Sequence, residues 1–359
     1  MAAVELAWYG CDLRTGRIGE ELRSFKAGAL SRKLGASTSV QGSLVVEGAA
    51  AGWPEATDPG RTLLVAVDAA TGIPLWSGIT LVRSGGAGPE VSLTAATAEV
   101  YLDRRYPGSY TATGVDQTAV MAALATPALT DGPPLILDTT DTGVLIDYTM
   151  ADDEDRTILS GVQEVSQMEG GPEWVIDTIW GDAAQTKFQL VLRIAPTIGT
   201  ISDLPAAVFD LPGCMTRYSL TESYEKGSGA TRVIARGERS SDARASSSVH
   251  TADDLLANSW ALWEERFTPA SGITDTSQLD RHAAEALALM GTGSRAWALE
   301  AVASQAPRLG VDWVLGDSIR LDVTSSPRHP AGIQTIARAY AWSLDVASNR
   351  LTPTLLEDA

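Results

Sequence analysis

Asp152-Asp153-Glu154-Asp155 is the densest group of side chains in this 359-residue chain that could do chemistry. Clustered carboxylates can hold a divalent cation or share acid–base work. A calcium loop, however, alternates its oxygen ligands and turns on a glycine, and this run does neither. Four adjacent acids ahead of an apolar-periodic segment read instead as a solvated helix start, favoured by the positive end of the helix dipole. Asp138, Asp141 and Asp147 are spaced as in any acidic loop. Cys11 and Cys214 have neither a metal-ligand partner nor a basic helix-start setting, and read as inert buried thiols. His250, His282 and His329 share no zinc spacing. His329, between Arg328 and Pro330, reads as a surface histidine in a turn. There is no GxSxG elbow. Lys226-Gly227-Ser228-Gly229-Ala230 lacks phosphate-loop spacing and reads as a hairpin turn. Arg104-Arg105, among Tyr101, Tyr106 and Tyr110, is too small a basic patch for nucleic acid. It reads as a pair that docks the end of one β unit on its neighbour. No catalytic, cofactor-binding or metal-binding residue is assigned, and no cofactor is expected.

Ten tryptophans, from Trp8 to Trp342, raise the possibility of sugar stacking. Most lie in apolar strand-like runs such as "PLWSG" and "EWVIDTIW", where core and interface anchoring is the better reading. The net charge of −18 disfavours a grip on nucleic-acid backbone, which depends on Lys and Arg neutralising phosphates;. No stretch approaches the roughly 20 apolar residues that span a bilayer, so no membrane insertion by this chain is expected. The N-terminus lacks the basic and apolar regions of a secretory signal.

The elements that must carry these residues are mostly strands. "VELAWYG", "RIGEELRSF", "GSLVVEG", "RTLLVAVD", "IPLWSGITLVRS" and "EVSLTAA" are short runs bounded by turn residues, with hairpins at Asp68–Gly72 and through "SGGAGP". Thr97–Leu102 can make a helical turn, and Asp116 can cap a helix "QTAVMAALA" that buries Val120, Met121 and Leu124. Residues 126–150 read as loop-rich. An amphipathic helix through Ile158, Val162 and Val165 and the strands "EWVIDTIWG" and "KFQLVLRIA" complete a small α+β unit. "CMTRYSLTESYE" and "TRVIARG" read as a hairpin, and 237–254 as a polar surface excursion. A helix over "LLANSWALWEERF" places Trp260 and Trp263 one helical step apart, and "TSQLDRHAAEALALMGTG" is a capped helix. Four strands close the chain, the last two joined at Ala347-Ser348-Asn349.

The expected fold class is mainly β with α+β insertions. The expected division is a β-barrel domain at 1–114, a peripheral α+β domain at 115–205, a second β-barrel domain at 206–240 and 295–359, and a helical insertion at 241–294. There is no fixed-period repeat, but both β units are built from similar hairpins and read as structural relatives.

Several stretches, taken in order, carry a resemblance. "LRTGRIGEELRSFKAGALSRKLGASTSVQGSLVV", "DPGRTLLVAVDAATGIPLWSGITLVRS" with Trp76, Gly78 and Ile79, and "EVYLDRRY" before "DQTAVMAALA" resemble siphophage minor tail proteins of the baseplate-hub type from actinobacterial phages. "YSLTESYEKGSGATRVIARG" and "LGDSIRLDV…ARAYAWSLDVASNRLTPTLLE" are similar to their second half. The resemblance covers nearly the whole chain. It implies two tail-tube-like β-barrel or sandwich domains per chain, so that a homotrimer presents six barrels to a hexameric tube. Asp103–Tyr106 would close the first barrel. It further implies a virion protein at the tail tip, made in the host cytoplasm. Its partners would be itself, the tail tube or distal tail protein, and tail fibre or tip proteins, with DNA only passing through the lumen. Some such proteins carry C-terminal peptidase or glycan-binding domains. This chain stops at "LLEDA" without one, so wall-degrading or receptor-binding activity is expected in another subunit. A carbohydrate- or receptor-binding tail component is the second reading, to be told apart by tryptophans exposed on one face. A glycan hydrolase, which needs two carboxyl groups about 5–10 Å apart in a cleft, is the third.

Overall fold

The run Thr62–Asp68, TLLVAVD, has no polar residue between its ends, so as a strand it needs cover on both faces;. That requirement organises the molecule. The computed structural model describes residues 4–239, 244–269, 273 and 275–357. The chain opens with β1 (Leu6–Asp12), β2 (Ile18–Glu21), β3 (Phe25–Ala27), β4 (Leu30–Lys33), β5 (Ser39–Val45), β6 (Thr62–Asp68), β7 (Pro74–Gly85) and β8 (Glu90–Ala96). Seven of these form one antiparallel sheet in the order β2-β1-β6-β7-β8-β5-β3, which β4 leaves. Both expected hairpins are present, the first turning on Gly72 at φ +71°. Leu64 and Ala66 of β6 face one core, and Leu63, Val65 and Val67 face another.

The second core is closed by α1 (Glu99–Leu102), β9 (Tyr110–Asp116), α2 (Gln117–Ala125), β10 (Leu135–Thr139), β11 (Leu145–Met150), α3 (Ile158–Ser166), β12 (Glu173–Trp180) and β13 (Phe188–Ala195). The Asp116 carboxylate caps α2 by accepting from the Thr118 amide at 2.8 Å, and Val120, Met121 and Leu124 are fully buried. Residues 126–150 are less loop-rich than expected. β10 runs parallel to β13, and β11 pairs with β9, alternating Ile146, Tyr148 and Met150 inward. The four acids do not start α3. They form a separate exposed turn that ends with Asp155 at φ +51°, and Thr157 caps the helix.

Next come β14 (Val208–Leu211), β15 (Met215–Ser223), β16 (Arg232–Arg239), β17 (Arg244–Ser246), β18 (His250–Thr251), α4 (Asp253–Ala257), β19 (Glu264–Phe267) and α5 (Thr276–Met290). The hairpin expected around Lys226–Ala230 is not formed. β15 pairs with a later strand, while β16 pairs with β17, β18 and, in parallel, β19. Placing β16 with the second barrel is therefore corrected. Its Val233 and Ala235 enter the second core beside α5, where apolar cover is available. The segment 241–294 is also more than helical, since it supplies β17, β18 and β19. Part of the polar excursion, 240–243, lies outside the described residues. The long helix expected through Trp263 ends at Ala257, because Ser259 takes φ +71° and the chain turns into β19.

The chain ends with β20 (Ser294–Val302), β21 (Ser318–Val323), β22 (Ile333–Asp345) and β23 (Arg350–Leu356). The second large sheet runs β14-β21-β22-β23-β20-β15. Its order repeats that of the first. A meander, β6-β7-β8 or β21-β22-β23, is followed in the sheet by β5 then β3, or by β20 then β15. One difference is that β1 lies antiparallel to β6, whereas β14 lies parallel to β21. In each unit the chain leaves its sheet at the same place, between β3 and β5 or between β15 and β20.

From the first unit that excursion is β4. Its residues Leu30–Lys33 pair antiparallel with Ala341–Leu344 of β22, beyond the stretch that β21 covers. The edge of one sheet is thus covered by a strand from the other unit, which satisfies backbone groups that would otherwise be exposed. Leu30, Trp8, Trp76, Trp297, Trp313 and Trp342 belong to one continuous core beneath this junction. Leu30 has no exposed surface, so Leu30→Ala is expected to cost about 2–5 kcal/mol. Urea unfolding checks this, and a loss under about 1 kcal/mol would mean that β4 is not a structural clasp.

Candidate functional site

Among the described residues no group of three or more His, Cys, Asp or Glu could hold a metal ion, and no helix is long and apolar enough to cross a membrane. The two thiols are buried and unpaired, and burial pushes Cys11 up to about 12 and Cys214 up to about 11, away from nucleophilic use;. His282 is buried against the loop after α3, where its Nδ1 accepts from the Glu169 amide at 3.2 Å, and burial lowers its pKa. His250 lies 3.4 Å from Asp280 across β18 and α5. His329 is not a bare surface residue, as its turn implied, but half-buried and 2.6 Å from the Tyr218 hydroxyl. The structure thus places each histidine in a different pairing and brings none to another. Asp138 pairs with Arg193, and Asp147 receives the Gly114 amide at 2.8 Å. Arg105 bonds the Tyr101 hydroxyl and the Pro127 and Thr130 carbonyls, fastening α1 to the turn after α2. Arg104 is exposed.

The polar side chains that do come together lie along the seam between units. The hairpin loop at Asp68 meets the loop before β21, where Arg308 holds the Asp68 carboxylate with two bonds of 2.6 and 2.7 Å. The Asp68 side chain is 1% exposed. Burial pushes its carboxyl up, but the Arg308 guanidinium and the Ala70 amide outweigh this and hold it below the usual carboxylate range. Arg338 of β22 makes the same fork to Glu173 at the start of β12, with both bonds at 2.7 Å. Arg32 of the clasp bonds Asp177 of β12 at 2.8 Å, and Arg193 of β13 takes the other oxygen at 2.9 Å. Planar forks of this kind fix orientation as well as distance.

Glu99 of α1 sits under this network. It is 2% exposed, its Oε1 accepts weakly from the Ile176 amide at 3.4 Å, and its Oε2 has no hydrogen-bond partner. Burial raises its pKa, and Arg32 offsets only part of the effect. Gly199 and Gly316 lie back to back where the chain entering the second unit crosses the loop before β21. Both take positive φ, and a Cβ on either would overlap the other strand's backbone. A cleft of about 560 Å³ opens at this meeting point, between Asp177 and Arg193 on one side and Val311 and Trp313 on the other. The site is a joint between units. The sequence offered no signal for it, because its pairs lie as many as 240 residues apart.

The tryptophans divide clearly. Trp8, Trp76, Trp174, Trp297, Trp313 and Trp342 are at most 5% exposed, and Trp53 and Trp180 are partly buried against the cores. Trp260 and Trp263 are 40% and 54% exposed and lie on either side of Tyr224.

Two outcomes test the joint. Arg308→Ala leaves the Asp68 carboxylate buried without its cation and is expected to cost up to about 3 kcal/mol. Because the folded Asp68 pKa is lowered, the pair's contribution is present above the unfolded value near 3.9 and is lost as pH falls through the folded value. The variant should therefore lose its deficit in strong acid, as read by urea unfolding against pH; a deficit that persists there would contradict the assignment. Glu99 has the opposite sign. Its raised pKa favours the fold below the unfolded value near 4.3, and that contribution is lost as pH rises through the folded value. Glu99→Gln should gain on the natural chain as pH rises, and an unchanged difference in melting temperature between pH 4 and 8 would contradict this.

No protein-family model matches the chain, and no curated protein does. Solved structures do match along nearly the whole length. The tail protein from Neisseria meningitidis MC58 superimposes with a TM-score of 0.63 at 12% identity, covering 99% of this chain and 97% of that one. The 43 kDa tail protein of prophage MuSo2 from Shewanella oneidensis gives 0.62 at 10% identity, covering 98% of each. Prophage tail protein gp18 from Listeria monocytogenes EGD-e gives 0.59 at 11% identity, covering 98% and 94%. The chain therefore has the fold of these phage tail proteins, mainly β with α+β additions.

Proposed function

We propose that the chain is a structural virion protein, a homotrimeric hub of the siphophage type that joins a hexameric tail tube to the tail tip. The observation that carries this reading is the strand order shared by the two large sheets. Each would be one tube-like domain, at 1–114 and at 206–223 with 294–359. Three chains would then offer six similar domains in a ring, which suits a six-fold neighbour. Residues 115–205, joined by 224–293 through their common core, would decorate the outside. The Arg308–Asp68 fork and the β4 clasp support the reading, because a ring needs its two domains at a fixed angle.

No catalytic role is assigned. The partners expected are other copies of the chain, the tail tube or distal tail protein, and tip or fibre proteins. DNA would pass through the lumen without being held. Three copies carry a summed charge of −54, and a like-charged wall offers DNA no counterion-release gain. A lumen lined by Lys and Arg would contradict that part.

Light scattering tests the assembly. The expected native mass is three times 37.8 kDa, alone or beside tail-tube protein. A monomer that stays monomeric even with tube protein present would overturn the reading.

A further inference from the structure

Eight tryptophans are used in cores, and the two that are not stand together. Trp260 and Trp263 flank Tyr224 with ring centroids 5.2 and 6.1 Å away. The group is built rather than loose. The Tyr224 hydroxyl donates to the Gly291 carbonyl at 3.2 Å, and its ring lies so close over Gly229 that a Cβ there would overlap it. Thr231, fully buried, clamps the strip that carries the tryptophans. Its amide donates to the Trp263 carbonyl at 2.9 Å, its hydroxyl donates to the Ala261 carbonyl at 3.0 Å, and it accepts from the Trp263 amide at 2.8 Å. An aromatic ledge held this firmly presents its faces without a further ordering cost.

Beside the ledge opens a cleft of about 810 Å³, between the end of β15 and β19, within the range of small-molecule sites. Glu222, Glu225, Glu264, Glu265, Lys226 and Arg266 line it, so its walls offer both donors and acceptors. Several are held in place. Glu222 is engaged by Arg295 at 3.4 Å and by Arg328, and Glu265 receives the Gly227 amide at 3.3 Å.

We propose that this ledge and cleft form a binding site for an uncharged oligosaccharide, with pyranose C–H faces stacked on Trp260 and Trp263 and ring hydroxyls bonded to the carboxylates and cations of the cleft. Two observations choose this occupant. Four glutamates around the cleft are costly for a protein partner to dehydrate, and the centres of protein interfaces are depleted in such residues;. Sugar hydroxyls replace water at carboxylates bond for bond. The acids are also answered by arginines, Glu264 by Arg232 and Arg266 and Glu222 by Arg295 and Arg328, so few cations are left to hold uronates or phosphate-bearing polymers. The site is independent of the ring, so its failure and the failure of the hub reading separate.

Calorimetric titration of the full chain with hexamers of glucose, mannose and N-acetylglucosamine, and with hexagalacturonate, tests this. At least one neutral hexamer should bind with a Kd of millimolar or tighter. Trp263→Ala and, separately, Trp260→Ala should each weaken it at least about tenfold, with unchanged melting temperature and native mass. Hexagalacturonate should bind more weakly than any neutral ligand that binds. The proposal is overturned if no neutral hexamer binds, if binding is indifferent to both substitutions, or if the substitutions change the native mass and so mark the ledge as a subunit contact. If one variant misfolds, the other carries the test.

Discussion

The four residues of β4, Leu30 to Lys33, leave their own sheet and pair with Ala341–Leu344 of the other, and the geometry of the rest follows from that crossing. β22 is thirteen residues long, and β21 covers only its first part. Without β4 the remaining edge would present unpaired backbone groups beside an apolar core, where each unsatisfied group is expensive. With β4 in place, Arg32 is delivered to Asp177 and Leu30 to the floor of the core that both sheets share. Hydrogen bonding, apolar burial and ion pairing therefore agree on one relative placement. That agreement makes the two sheets one body.

Around this joint the paired charges orient more than they stabilise. A carboxylate removed from water is costly unless its partner is well placed, and a forked arginine supplies direction as well as charge. Arg308 on Asp68 ties the second sheet to the first, and Arg338 on Glu173 ties it to the α+β unit, so each fork fixes a different pair of segments distant in sequence. Glu99 is the exception in the same network, a buried carboxyl with only a weak bond and one oxygen unpartnered. Burial raises its pKa, so the neutral carboxyl is the form this pocket favours.

Much of the strand content could be read from the chain. The doubly buried β6, the Gly72 turn and the Asp116 cap all follow from local residue chemistry. Two misreadings have different causes. β16 follows β15 after a glycine-rich turn, which is the pattern of a hairpin, yet each strand pairs elsewhere because its apolar face has better cover there. The helix through Trp260 failed at Ser259, whose positive φ no local pattern announces. β11 was legible in principle, since Ile146, Tyr148 and Met150 alternate inward, but its acidic and threonine-rich surroundings obscured the period. The seam was not legible at all. Pairing Asp68 with Arg308 or Arg32 with Asp177 requires the topology first, because nothing in either segment identifies its partner.

As proposed, two sheets of like strand order act as equivalent domains in a three-fold ring. Electron microscopy of the purified assembly, with end-on views averaged without imposed symmetry, tests it most directly. The expected image is a ring with a central hole, three-fold symmetric, whose inner wall shows six similar densities made of the two sheets of each chain. A compact particle without a hole, or a ring whose wall is built from only one of the two sheets, would contradict it.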